Sequence, residues 1–339
     1  MSQRADLFLL SPCSGPVRSA APAGVEAIVY TLAEGLREAF HVRLVATPDS
    51  DPPAGVSLVP GYHAVLPELV GQLLLKYPEA TFCDHSGAAI LEGEHPRFFR
   101  VFHVEPRYVF VPALSGRCGF VSDYLRGLFA AQHSAAFSAC PLLQNGISVM
   151  TPSARTQPSG VAIYIGRLNR LKGISLAAAA CASLGVRLHL YGGFGREAPE
   201  DIVFNDLSLL RELSARYPEA FVYHGPLSDP AEKWRLLSGA PVVLIPSREP
   251  ESCSLVALEA AAAGAPVAAF RHGGLVEYLS EYPGLHFAPY LNDEAADLRA
   301  LGEAIQRALE SPRPTPQLPT AYTAMAMVAR YHAWLLSII

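Results

Sequence analysis

Twice along this chain, short unbroken apolar runs alternate with stretches whose apolar residues recur at helical spacing. The first array opens with "DLFLLSP". It continues through "GVEAIVYTLAEGLREAF", where Val25, Ile28, Val29, Leu32, Leu36 and Phe40 share a helical stripe, and returns with "HVRLVATP". Strand, helix, strand predicts a parallel sheet, because parallel neighbours need a long crossover between them. "EATFCDHSG" and "FFRVFHVEP" read as further strands ending in polar loops. "RCGFVSDYLRGLF" reads as a strand and then a helix opened by Ser122 or Asp123, and "CPLLQNGISV" closes this half.

"MTPSARTQPSG" (Met150–Gly160) is rich in Pro, Ser and Thr and reads as a linker. The alternation then restarts more cleanly. "VAIYIGRL", "VRLHLYGG", "AFVYHG", "PVVLIPS" and "APVAAFRHGG" are strands. "ISLAAAACASLG", "SLLRELSARYP", "DPAEKWRLLSGA" and "SLVALEAAAAG" are the helices between them. These strands are apolar throughout, as expected where helices cover both faces of a sheet. A Pro-rich break, "SPRPTPQLP", precedes a terminal helix, "TAYTAMAMVARYHAWLLSII", that carries Tyr331 and Trp334. The expectation is two tandem doubly wound α/β domains. The first spans 1–150 and is completed by 320–339; the second spans 157–312. Ligands of such sheets bind beyond the carboxyl ends of the strands, and the cleft between two such domains is the default site.

The 339 residues suit two cores better than one. A formal charge of −5 offers no basic field for nucleic acid. With no Lys/Arg cluster in the N-terminal half and no apolar run near ~18 residues, at most a peripheral membrane contact is expected. Cys13, Cys83, Cys118, Cys140, Cys181 and Cys253 are scattered without a CxxC, which points to reduced thiols and a cytoplasmic location.

Chemistry concentrates in the loops after the second array's strands. "REPESC" follows "PVVLIPS" and precedes "SLVALEAAAAG". The helix's first turn is expected to offer the backbone N–H groups of Ser252, Cys253, Ser254 and Leu255 to a phosphate. Glu251 stands just before that turn, and Glu259 about two turns on, ~12 Å away. Two carboxylates so spaced suit hydroxyls at the two ends of a sugar nucleotide. The plainer reading of the turn is a helix cap with acidic residues opposing the dipole. Glu259, inside an Ala-rich run that asks for burial, calls for a partner. In "YIGRLNRLKGISL", Arg167 and Lys172 sit where two cations meet a diphosphate; a solvated basic loop that includes Arg170 is the alternative. "LYGGFGRE" brings Gly192, Gly193 and Gly195 after a strand, a weak dinucleotide-type signal, and there is no P-loop.

In order and spacing these segments resemble the retaining GT-B glycosyltransferases of the GT4 family. "GRLNRLKG" resembles the family's G-R-L-x-x-x-K-G. "ESCSLVALEAAAAGAPV" resembles its E-x7-E followed by E-A-x-A-x-G-x-P-V, and "GGLVE" (Gly273–Glu277) its G-G-x-x-E. More faintly, "PAGVEAIVYTLAEGL" resembles a G-G-x-E segment with Ala23 for the first glycine, and "FHVEP" supplies His103. "FVSDYLRGL" and "LQNGI" match segments near the linker.

The resemblance implies two Rossmann-like domains facing a central cleft, with the C-terminal helix crossing back to the first. It implies transfer of a sugar from a nucleoside diphosphate donor, UDP on family grounds, to an acceptor hydroxyl with retained configuration. Glycan, glycolipid or glycoconjugate synthesis is the setting, and the acceptor is a carbohydrate, a lipid-linked sugar or a small molecule. No metal or other cofactor is implied. Arg167 and Lys172 bind the diphosphate, and Glu251 contacts the transferred sugar. Cys253, Ser254 and Leu255 contact phosphate and sugar through backbone N–H. Glu259 holds the ribose. Gly24, Gly166 and Gly193 line the donor, and His103 stands by the sugar; outside the family setting, His103 reads as a structural imidazole. Cys253 and Ser254 in place of the usual Phe-Gly, and the extra Glu249, put the donor sugar in question. The rivals are a non-catalytic nucleotide-sugar-binding subunit and an epimerase or hydrolase on the same scaffold.

Overall fold

The structure is a computed structural model that describes residues 4–19, 24–91, 93, 95–111, 117–151, 161–193, 207–227 and 229–338. The chain forms two compact units. The first comprises Met1–Ser148 and Thr320–Ile339, the second Val149–Pro319.

In the first unit β1 (Asp6–Leu10) is followed by α1 (Gly24–Leu36), β2 (His41–Ala46), β3 (Ser57–Pro60) and α2 (Leu66–Lys76). Then come β4 (Thr81–Asp84), β5 (Phe98–Phe102), β6 (Cys118–Phe120) and α3 (Asp123–Gln132). All strands pair in parallel, in the order β3-β2-β1-β4-β5-β6. Phe8 of β1 stacks on Phe82 of β4, and β1, β4 and β5 are buried along nearly their whole length. Ser122 caps α3 by accepting the Leu125 N–H.

The second unit runs β7 (Val161–Ile165), α4 (Ile174–Ser183), β8 (Arg187–Tyr191), α5 (Leu207–Arg216), β9 (Phe221–Tyr223), α6 (Pro230–Gly239) and β10 (Val242–Ile245). It continues with α7 (Leu255–Ala262), β11 (Val267–Phe270), α8 (Leu275–Tyr278), β12 (Leu285–Ala288) and α9 (Glu294–Glu310). Its order is β12-β11-β10-β7-β8-β9, again all parallel. Counted from its own first strand, this repeats the order of the first sheet. Both are the doubly wound order in which the chain reverses direction beside the first strand, and the crevice there is the ligand position of such sheets.

The last helix, α10 (Ala324–Ile338), packs on α1 in the first unit. Tyr331 and Leu335 are fully buried there, and Gly146 touches the backbone of Thr323 so closely that a Cβ would lie 2.2 Å from its carbonyl oxygen. Among the described residues, no helix is long and apolar enough to cross a membrane.

Candidate active site

In the second unit the strands flanking the reversal are β7 and β10, and the loops that follow them are the two that carry "GRLNRLKG" and "PSREPESC". The backbone fastens these loops together. Asn169 accepts the Lys172 N–H through Oδ1 (2.8 Å), which tightens the turn and brings Gly173 to φ +70°. A side chain at Gly173 would place its Cβ 1.8 Å from the Pro246 carbonyl oxygen, so only glycine fits. Arg248 N–H then donates to Leu171 O (2.8 Å) across the same junction. On the other side Gly166 N–H donates to Tyr191 O and Leu168 N–H to Gly193 O. The close approach there is made by Gly192, whose Cβ would lie 1.7 Å from Gly166 O; Gly193 has ordinary room around it. Gly195 lies outside the described residues.

This stitching brings Lys172 and Glu251, far apart in sequence, into contact. Lys172 Nζ donates to Glu251 Oε1 at 2.6 Å, and the Ser247 hydroxyl donates to the same oxygen. Glu251 is mostly shielded. Burial raises its pKa, but the Lys172 charge and bond, the Ser247 bond and the Arg167 charge outweigh that and leave it below the usual carboxylate range. Arg167 is exposed, and its carbonyl accepts the buried Tyr164 hydroxyl (2.6 Å). Gly274 N–H donates to Glu251 O (2.7 Å) and His272 Nε2–H to Ser247 O (2.8 Å), so the loop after β11 braces the carboxylate's backbone.

Helix α7 starts later than the sequence suggests. Its N-cap is Ser254, which accepts the Ala257 N–H, and its first helical residue is Leu255. Ser252 and Cys253 therefore precede the helix instead of forming its first turn. The Ser254 N–H is also taken, by the Tyr278 hydroxyl (2.5 Å). That leaves the amides of Leu255 and Val256 in the first turn. Cys253 is partly exposed. Because Glu251 lies in the loop and not on the helix, the ~12 Å spacing drawn from helical rise does not describe the pair.

Glu259 lies one turn into α7 and is 8% exposed. Its partner is Lys233 of α6, with Nζ 2.5 Å from Oε1. The other oxygen, Oε2, is buried and has no hydrogen-bond partner. Burial raises the pKa of this carboxyl, and Lys233 opposes the rise without cancelling it. Lys233 escapes sequence reasoning because it belongs to no motif; its only signal is a buried-looking Glu259 that needs a cation.

The first unit holds the remaining expected residues. Gly24 is the exposed first residue of α1; Ala23 lies outside the described residues. His103 follows β5, and its Nε2 shares a 2.9 Å hydrogen bond with Nδ1 of His85, which follows β4. Burial pushes the His103 pKa down to about 4, and burial with the neighbouring ring pushes His85 well below its usual value. The His85 ring stacks on Tyr331 of α10. Both rings are therefore neutral near pH 7, one donating and the other accepting. His85, Asp84 with Arg100, and Glu26, which accepts from Ser14 (3.1 Å), are among the buried polar groups here that the sequence does not single out.

Residues 151–322 match the family described as glycosyl transferases group 1. The chain belongs to that family. Solved structures like that of this group 1 transferase include sucrose-phosphate synthase from Thermosynechococcus elongatus (TM-score 0.72, 18% identity, 99% of each chain). AviGT4, a glycosyltransferase of avilamycin A biosynthesis, superposes with a TM-score of 0.69 at 20% identity over 98% of each chain. HepE of Anabaena, solved with UDP-glucose, gives 0.65 at 16% identity over 98% of this chain and 99% of its own. At these identities the likeness speaks for the fold, which is GT-B. No curated protein sequence matches the chain.

Proposed function

We propose that the protein transfers a glycosyl group from a nucleoside diphosphate sugar, with UDP as the nucleotide, to an acceptor hydroxyl with retention at the anomeric carbon. The observation that carries this is the pair of carboxylates after β10: Glu251 held by Lys172, and Glu259 held by Lys233 with Oε2 buried and unpartnered. A buried acceptor oxygen without a donor is costly unless a ligand supplies one, and a ribose hydroxyl does. That HepE was solved with UDP-glucose and with UDP supports the choice of nucleotide.

In this reading the diphosphate meets Arg167, Lys172 and the Leu255 and Val256 amides, Glu251 accepts from the transferred sugar, and Glu259 accepts from the ribose. As the bond from the anomeric carbon to the phosphate oxygen breaks, its electrons pass to the phosphate. Arg167, Lys172 and the positive end of α7 stabilise that charge, a task a divalent cation performs in other transferases. The acceptor oxygen attacks from the face the phosphate leaves, and the acceptor proton moves to the departing phosphate oxygen. His103 as a contact to the sugar rests on the resemblance alone.

A thermal-shift screen with UDP, GDP, ADP and their sugar conjugates tests the donor site. Stabilisation by UDP and its conjugates, reduced but still measurable in Glu259→Gln, is expected; stabilisation by none sinks the reading. Anomeric configuration of the product, read by NMR, tests retention. Free sugar released at the same rate with or without acceptor would make the protein a hydrolase, and donor binding without turnover would make it a binding subunit.

A further inference from the structure

Helix α6 lies outside both motif loops, yet it places a cation on the candidate ribose carboxylate. Asp229 caps it by accepting the Ala231 N–H (2.8 Å), Pro230 occupies its first position, and Trp234, 3% exposed, anchors it in the unit. With Trp234 turned inward, Lys233 falls on the side that meets α7. Arg235 faces elsewhere: its guanidinium bonds Ala231 O and pairs with Asp229. The elements packed most closely on α7 are α6, β10 and β11; at its ends, the Tyr278 hydroxyl meets Ser254 and Arg313 donates to Ala263 O. The two strands, "VVLI" and "VAAF", bring no charge. Among the described residues Lys233 is thus the charged group that acts on Glu259.

This arrangement does more than neutralise. A carboxylate has two equivalent oxygens and can rotate. With Oε1 bonded at 2.5 Å to Nζ, only Oε2 remains, and it is buried without a partner. Without the ammonium, a carboxyl this buried favours its protonated form, which would turn an acceptor into a group that also donates.

We infer that Lys233 is a positioning residue for the donor: by holding Oε1 of Glu259 it keeps the carboxylate charged and leaves Oε2 as the single oriented acceptor for a ribose hydroxyl. The inference rests on the donor-site reading above. It predicts that UDP binding depends on Lys233 in a way that changes with pH. Removing the ammonium lets burial act unopposed, so Glu259 takes its proton at a higher pH, and binding is lost earlier as the solution is acidified.

The test is calorimetric titration of UDP into the wild type, Lys233→Met, Lys233→Gln, Lys233→Arg and Glu259→Gln, from pH 5.5 to pH 8.5. Lys233→Met is expected to weaken binding about tenfold or more at the acid end and clearly less at the alkaline end. Lys233→Gln, which keeps a hydrogen-bond donor, should show the same trend should the Met variant misfold, and Lys233→Arg should return the wild-type profile. Glu259→Gln isolates the titration of the UDP phosphate, which all the proteins share. Equal affinity of Lys233→Met and the wild type at every pH overturns the inference. So does a loss that is the same at every pH and is not rescued by arginine, which marks a structural role only. Failure of the wild type to bind UDP or any other nucleoside diphosphate would instead bring down the donor-site reading itself.

Discussion

The two sheets share one strand order, but the groups at their reversal points differ in kind. In the second unit Glu251 and Glu259 each meet an ammonium, that of Lys172 and that of Lys233. In the first unit burial works against charge. It pushes the Cys13 thiol up to about 11, raises the Asp84 carboxyl even with Ser86 bonds and Arg100 nearby, and lowers both His85 and His103. The same scaffold can thus present directly bonded ion pairs or mainly uncharged hydrogen-bonding groups, depending on how close a cation comes to the buried polar atom: Lys172 and Lys233 bond their carboxylates, whereas Arg100 stands 3.9 Å from Asp84.

The comparison breaks most plainly at Lys172. Lys172→Ala leaves Glu251 shielded without its ammonium and takes a cation from the proposed leaving group. A fall in kcat/KM on the order of 10²–10³-fold is expected. Turnover within threefold of wild type would mean that the ion pairs are structural and that the contrast between the units has no bearing on the reaction.

Acid sharpens the contrast from the other side. The folded His103 has a pKa of about 4, below the 6.5 of an ordinary imidazole. Between pH 6.5 and about 4 the unfolded chain binds a proton that the folded unit refuses, so stability falls as pH falls through that window. The slope is at most about 1.4 kcal/mol per pH unit for this group, and His85 acts in the same direction. The chain's two tryptophans report separately, Trp334 on α10 in the first unit and Trp234 on α6 in the second. Single-tryptophan variants followed by fluorescence in urea should show the Trp334 transition weakening across that window. A Trp334 transition indifferent to pH would contradict the neutral His85–His103 pair.

The smallest effect belongs to Arg170. It shares the loop with Arg167 and Lys172, but it is bonded to Glu212 in an exposed pair, with side chains 38% and 42% accessible. Arg170→Ala should change UDP affinity less than about twofold and stability by no more than about 0.5 kcal/mol. A larger loss in titration calorimetry would show that the loop acts through its summed charge and not through particular side chains.

How much of this was readable in advance depends on whether the partners are close in sequence. The "GRLNRLKG" turn declares itself because Asn169, Lys172 and Gly173 act on neighbouring backbone. Glu251 and Glu259 were visible by their spacing, but their cations were not equally so: Lys172 sits in a motif, whereas Lys233 lies on an unremarkable helix. The His85–His103 pair depends on β4 and β5 being neighbours, which the alternation of elements does not specify. Ser254 reads like the start of a helix, yet only the folded structure brings the Tyr278 hydroxyl to its amide.

Among the elements, the long buried strands were plain. The four-residue β3 and β12 were not, since neither is fully buried and neither makes a continuous apolar run. Helix α9 is equally hard to read from the sequence. Its buried stripe of Ala300, Leu301, Ala304, Ile305 and Ala308 is diluted by charged residues on the other face, although Asp293 caps it by accepting the Ala296 N–H.

The bond between Lys172 and Glu251 has a consequence for selectivity. A lysine that already holds a carboxylate exchanges one anion for another when a ligand arrives. Inorganic phosphate or chloride must displace that internal counter-ion and offers it nothing in return. A ligand that brings hydroxyls beside its negative charge compensates both partners at once. Ionic strength should therefore affect binding less than two bare cations would suggest, because Glu251 already neutralises part of the site's positive charge before the ligand arrives.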